Sequence, residues 1–296
     1  MPTNAEIIGL ALDRITSGYV FPQRVVEIEG AIRSQLAAGA YDTLDGLALC
    51  EAVTAHLQEV CPDKHLRLLW QDEPQSTDPA DEDEGRAAFL AMLRAENQGI
   101  HRFEHLEGNI GHLDIRRIAD AATAPARSVR PWNWSPTPVR SSSICVSAAV
   151  AHPEGAAMWC SYFFPDDQVH LNDIYERSTG STRQYWTASH LPAPRYLDRP
   201  VYVLTSAITF SGGEDVAYTL QAHGRAVLVG ETTRGGAHPT ARHPVTEHIT
   251  VTVPTARTIS TVTRTNWEGV GVVPDLAASS DQALEAAHKD ALRRAA

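Results

Sequence analysis

RPVYVLTSAITFSGGEDVAYTLQAHGRAVLVGETTRGG, the stretch from Arg199 to Gly236, reads as strand, tight turn, helix, strand and glycine-rich loop. Val201 to Leu204 is a short apolar run of the kind that fills a parallel strand covered on both faces. Ser211 falls where a helix begins. Ala217, Leu220 and Ala222 supply its inner face, and Gly224 ends it. Ala226 to Val229 is the next buried strand. A hydroxyl at a helix N-terminus sits among free N–H groups and the positive end of the helix dipole, which favour a developing oxyanion. Gly212 and Gly213 allow a substrate carbonyl to approach the backbone closely. The plainer reading is that Ser211 is an N-cap, since serine is among the preferred capping residues.

Beyond this stretch, three further segments matter. Asp63-Lys-His-Leu-Arg67 closes the helical N-terminal region. Gly235-Gly-Ala-His-Pro239 follows the second strand. Asn266-Trp-Glu-Gly-Val-Gly-Val-Val-Pro-Asp275 lies near the C-terminus. With Thr205-Ser-Ala-Ile-Thr-Phe-Ser-Gly-Gly-Glu214, these segments resemble the tail-specific (C-terminal processing) serine peptidases. The similarity is to the branch that shares a fold with the interphotoreceptor retinoid-binding protein and the tricorn protease core. With its spacers, the resemblance spans most of the chain. It implies a mixed α/β chain, with an N-terminal helical subdomain over residues 1–70, an acidic linker and helix over 71–100, and a ClpP/crotonase-like ββα core over 101–296. About thirty residues separate Trp70 from His101, too few for the peptide-binding PDZ module that many such proteases carry there.

A serine alcohol is a poor nucleophile until a base removes its proton and a third group orients that base. PDZ-bearing members use a lysine about 25 residues after the serine. Here that position is Gly236, and the lysines, Lys64 and Lys289, lie outside the matching motif. A Ser–Lys dyad is therefore not carried over. The resemblance implies instead the tricorn-like arrangement: Ser211 as nucleophile, His65 as general base, Glu268 steering or supporting the site, and Gly212 as one oxyanion donor. His238 is a rival base. On sequence alone His65 is equally a polar turn residue, His238 a loop histidine and Glu268 an exposed turn residue. Two functions stay open: a serine hydrolase cleaving a peptide or a small amide or ester, and a catalytically silent relative binding an apolar small molecule in its cleft.

The 296 residues suffice for one large domain or two smaller ones. A net charge of −11 without a basic cluster argues against a nucleic-acid partner. Cys50, Cys61, Cys145 and Cys160 form no Cys-x-x-Cys pair, and no histidine cluster completes a zinc set, so neither metal nor cofactor is expected. His101, His105 and His112 are neighbours, and the first two, four apart, suit one helix face, but the ligand set is incomplete. No leader opens the chain and no run approaches a membrane span, so a cytoplasmic protein with reduced thiols and no membrane partner is expected. The oligomeric state is not legible.

Residues 5 to about 60 read as three helices. Val25, Ile28, Ile32 and Leu36 recur at helical spacing, as do Leu47, Val53, Leu57 and Val60, with Asp42 or Thr43 as cap of the third. Leu66 to Trp70 is a short strand, Gln71 to Gly85 a solvated acidic loop, and Arg86 to Asn97 a helix. Gly108 to Ile115 is a strand with a glycine entry. Residues 155–164 form a helix, and 169–175 and 182–186 form strands. The runs at 249–253 and 257–262 are of strand type. Ser280 to Arg294 closes as a helix with Leu284 and Leu292 inward.

Residues 124–152 are atypical. They hold four prolines before Val139 and a triple serine, where the resemblance calls for a helix, a buried strand of the type Val-Val-Asp-Leu-Arg, and a glycine-rich oxyanion turn. Written in GC-rich codons and read from the third base, Ser141 to Val146 gives that strand sequence. Two readings stand open: a divergent loop that lacks a central strand and half the oxyanion hole, or a pair of compensating frameshifts. Resequencing that confirms the frame removes sequencing error as the cause.

Overall fold

A computed structural model describes residues 2–75, 79–118, 141–146, 152–166 and 168–295, with backbone alone at 79–86, 141–146 and 295. The chain divides into two units. The first comprises Met1–Arg86, Ile174–Arg183 and His238–Thr258; the second comprises Ala87–Asp173, Gln184–Ala237 and Ile259–Ala296.

In the first unit, α1 (Asn4–Gly18), α2 (Val25–Ala37) and α3 (Gly46–Val60) share a core with an antiparallel sheet. The sheet order is β1 (Arg67–Trp70), β10 (Ile249–Pro254), β9 (Thr240–Pro244). Leu68 pairs with Val251, and Val251 with His243. Ile8, Leu12 and Ile15 meet Ile28, Ile32, Val53, Leu57 and Val253 in the interior. α1 starts conventionally: Thr3, at φ −72° and ψ 160°, accepts the Glu6 N–H on its hydroxyl, while the Glu6 carboxylate accepts the Thr3 N–H at 2.7 Å. The third helix differs from expectation. Its N-cap is Asp45, because residues 41–44 close a turn (Leu44 N–H to Tyr41 C=O, 3.2 Å) that Asn4 holds from α1. Its inner face uses Leu49, Val53 and Leu57, four apart, and leaves Leu47 55% exposed. The strand β9 was not legible: Thr-Ala-Arg-His-Pro is polar, and proline is tolerated there because β9 lies at the sheet edge.

The helix α4 (Pro79–Ala95) begins seven residues earlier than Arg86, so the acidic run Asp81 to Glu84 is helical rather than loop. Proline at a helix start and acids in the first turn suit the N-terminal end of the dipole.

The second unit is built on a six-stranded sheet. Its order is β12 (Leu276–Ala277), β8 (Val227–Gly230), β7 (Val201–Thr205), β4 (Ser141–Val146), β3 (Ile110–Ile115), β2 (Ile100–Leu106). All neighbours are parallel except β2 with β3. Every residue of β7 is buried. Val201 and Val203 face the core that holds α5 (Pro153–Ser161) and α6 (Gly212–Ala222), while Tyr202 and Leu204 face α7 (Ala283–Ala295). A strand covered on both faces is why the run is apolar without alternation. α7 buries Ala283, Ala287 and Ala291; Leu284 and Leu292 only flank that stripe. β4 corrects an expectation. The triple-serine segment as written is a central strand, paired with β3 and β7, with Ile144 opposite Leu113 and Val203. The oxyanion turn expected after it, and the rest of the atypical segment at 119–140 and 147–151, lie outside the described residues.

The remaining strands, β5 (His170–Glu176), β6 (Ser181–Trp186) and β11 (Ala256–Ser260), form a sheet of order β11-β5-β6, and the chain passes from unit to unit within them. Among the described residues no helix is long and apolar enough to cross a membrane.

Candidate active site

In the second unit the chain leaves β7 at Thr205, turns through residues 206–210 and enters α6 at Gly212. Thr209 shapes the turn: its N–H reaches Ser206 C=O at 2.9 Å and its hydroxyl accepts the Ser206 N–H at 3.0 Å. Ser211 sits between turn and helix at φ 53° and ψ −118°. That is the conformation of the first central residue of a type II′ turn, one that favours glycine and strains a residue bearing Cβ. Thr3 and Ser211 carry the same Ser/Thr-x-x-Glu signature, yet only Thr3 has the extended backbone of an N-cap. A strained serine on a sharp strand-to-helix turn is the geometry that lifts a nucleophile out of the backbone.

Glu214, fully buried, explains how the strain is held. Its Oε2 accepts the N–H groups of Ser211 (2.7 Å) and Gly236 (2.9 Å). Its Oε1 accepts from the Thr233 hydroxyl and the Gly235 N–H, both at 2.5 Å. Burial raises the Glu214 carboxyl above its ordinary value, and the four donors pull it back only in part. One side chain thus ties the head of α6 to the loop 233–236. The same loop is held from its other side. Thr233 accepts the Val272 N–H on its hydroxyl, and Gly235 C=O accepts the Gly269 N–H. Trp267 Nε1 donates to Gly236 C=O at 2.9 Å, and Glu268 Oε2 accepts the Ala237 N–H at 2.6 Å. Glu268 therefore buttresses the loop.

Close backbone contact requires glycine at 271, where φ is +75° and a Cβ would stand 2.2 Å from Thr233 C=O. Gly271→Ala is expected to cost on the order of 3 kcal/mol, from left-handed strain plus displacement of the loop. Chemical denaturation would show it as a lower midpoint with an unchanged slope.

The next helical residue, Asp215, is buried beside Cys160. It accepts hydrogen bonds from Asn172 Nδ2 (2.9 Å) and the Thr219 hydroxyl (3.2 Å). Burial pushes its carboxyl from 3.8 up to about 6 against those two bonds. The folded state thus binds a proton more tightly than the unfolded chain does. The resulting stability is fully present below pH 3.8 and is lost as pH rises through about 6. The swing is about 3 kcal/mol. Asp215→Asn should flatten stability across that window; a slope equal to the native one would refute the assignment.

In the first unit, Asp63 joins the His238 imidazole to the backbone of His65. Its Oδ1 accepts the His65 N–H at 3.0 Å, and its Oδ2 meets His238 Nδ1 at 2.7 Å. All three residues are buried. His65 C=O accepts the Thr252 hydroxyl at 2.6 Å.

The match with known families follows these elements. Residues 155–278 match peptidase family S41. The S41 stretch runs from α5 to β12 and holds Ser211, Gly212, Glu214, His238 and Glu268; it begins beyond His65. The resemblance to the tail-specific peptidases is borne out, and the match supports a peptidase-type function. The fold is shared more widely. A peptidase candidate from Parabacteroides merdae superposes with a TM-score of 0.65 at 15% identity, covering 99% of this chain and 98% of its own. The photosystem II D1 C-terminal processing protease gives 0.54 at 13% identity, covering 95% and 94%. The tricorn protease gives 0.59 at 10% identity, covering 99% of this chain but 37% of that one.

Of the residues singled out from sequence, Ser211 and Gly212 share the head of α6, and Glu268 supports the adjoining loop. His65 and His238 are joined through Asp63. His101 and His105 lie on β2, not on a helix; four residues along a strand place them roughly 13 Å apart, too far for one metal ion. Glu214 and Asp63 were missed. For Glu214 the Ser-x-x-Glu capping signature was the available signal.

Proposed function

We propose that the protein is a serine-type peptidase with Ser211 as its nucleophile. The backbone of Ser211 carries this reading: a positive φ that a capping role does not need, held in place by a buried carboxylate. The S41 match supports a peptidase reaction, and a peptide is the proposed substrate. In the proposed reaction the Ser211 hydroxyl attacks the scissile carbonyl while His65 takes its proton. The Gly212 N–H stabilises the tetrahedral oxyanion, since the next N–H, of Gly213, is committed to Phe210 C=O at 3.1 Å. The proton passes to the leaving amine, and water then hydrolyses the acyl-serine. Glu268 serves by fixing the Ala237 N–H, and with it the loop beside the nucleophile.

The test is labelling with a fluorophosphonate probe, located by peptide mass spectrometry. Labelling is expected at Ser211 in the native protein and absent in His65→Ala. A folded protein that takes no label, or takes it on another residue, ends the proposal.

A further inference from the structure

The buried group around Asp63 is more elaborate than a turn requires. Asp63 is 3% exposed and His238 5%. A carboxylate so enclosed needs donors for its lone pairs. It has the His65 N–H on Oδ1, and the Tyr19 hydroxyl (3.3 Å) and His238 Nδ1 on Oδ2. Burial drives the Tyr19 phenol far above its ordinary value, so it remains a donor. A neutral imidazole facing a carboxylate through Nδ1 must carry its proton there. Phe21 packs edge-on against the ring, with centroids 5.3 Å apart, and fixes its plane. The shortest of these bonds is the one from His238, 175 residues away in sequence. It sets where the carboxylate lies, and the other oxygen of that carboxylate holds the backbone of His65.

We propose that His238 is a positioning residue: acting through Asp63, it pins the turn that presents His65. This rests on the reading of His65 as base to Ser211. Without the His238 donor, Oδ2 keeps only the long Tyr19 bond among the described residues, and the Asp63 carboxylate is free to rotate away from the His65 N–H. A misplacement of a catalytic group by about 1 Å costs about 100-fold in rate.

The experiment compares His238→Asn, whose amide nitrogen replaces Nδ1 as donor, with His238→Leu, which removes the donor. Two quantities are read: the rate of fluorophosphonate labelling at Ser211 and the hydrogen-exchange protection of the His65 amide. The leucine variant is expected to label about 100-fold more slowly, with His65 protection lower by about tenfold, the loss of one hydrogen bond. The asparagine variant should stay within about fivefold of native on both. If leucine leaves both unchanged, His238 is a bystander and the proposal is overturned. If asparagine keeps His65 protection but labels as slowly as leucine, His238 handles the proton itself, which also overturns it. Should the leucine variant not fold, His238→Thr takes its place with the same expectations. If the native protein takes no label, the Ser211 reading fails, and the His65 amide alone decides whether the pin exists.

Discussion

Ser211→Gly is expected to abolish labelling while raising the unfolding free energy by about 1 kcal/mol. A residue with Cβ at φ 53° and ψ −118° stores about 1–3 kcal/mol of strain. Glycine adopts those angles freely, and part of the gain is offset by its larger entropy loss on folding. Ser211→Ala keeps Cβ and the strain, so its stability should change little while its labelling rate falls at least about 10³-fold. An ordinary N-cap loses stability to both changes: alanine costs about 1 kcal/mol and glycine a few tenths. Denaturant titrations of both variants against the native protein therefore separate a serine held for chemistry from a serine held for helix capping. A glycine variant less stable than the native protein, with the alanine variant lower still by most of 1 kcal/mol, would show Ser211 to be a cap.

Glu214→Gln carries the second large effect. Each carboxylate oxygen of Glu214 accepts two hydrogen bonds, so all four donors depend on both oxygens being acceptors. An amide turns one acceptor into a donor, and an NH₂ then faces either the Ser211 and Gly236 N–H groups or the Thr233 hydroxyl and Gly235 N–H. Thr233 can rotate its hydroxyl; the backbone groups cannot. The expected cost is about 3 kcal/mol of stability, from unsatisfied buried donors. The labelling rate at Ser211 should fall about 100-fold as the strained turn relaxes. A variant with native stability and native labelling would show that the carboxylate is dispensable.

The strand–turn–helix–strand around Ser211 was readable because its signals are local: an apolar run, a Ser-Gly-Gly start and a Gly224 stop within 30 residues of each other. The early start of α4 and the strand β4 were not. An acidic run looks like solvated loop, and three serines carry no periodicity; in β4 it is pairing with β3 and β7 that makes the strand. The same limit governs the site. Motifs made Ser211 and His65 candidates. The work of Glu214 depends on amides 21 and 22 residues away, and that of Asp63 on a ring 175 residues away. Nothing in either local sequence names those partners. The inner stripe of α7 was misread for a simpler reason. Leucine is the stronger apolar signal, whereas the residues buried against the sheet are alanines.

Two amides draw on a single oxygen atom where Glu214 Oε2 receives both Ser211 and Gly236. Donors sharing one acceptor compete, so lengthening one bond strengthens the other. The head of α6 and the glycine loop must therefore fluctuate in concert, and whatever tugs on the loop retunes the serine without touching it.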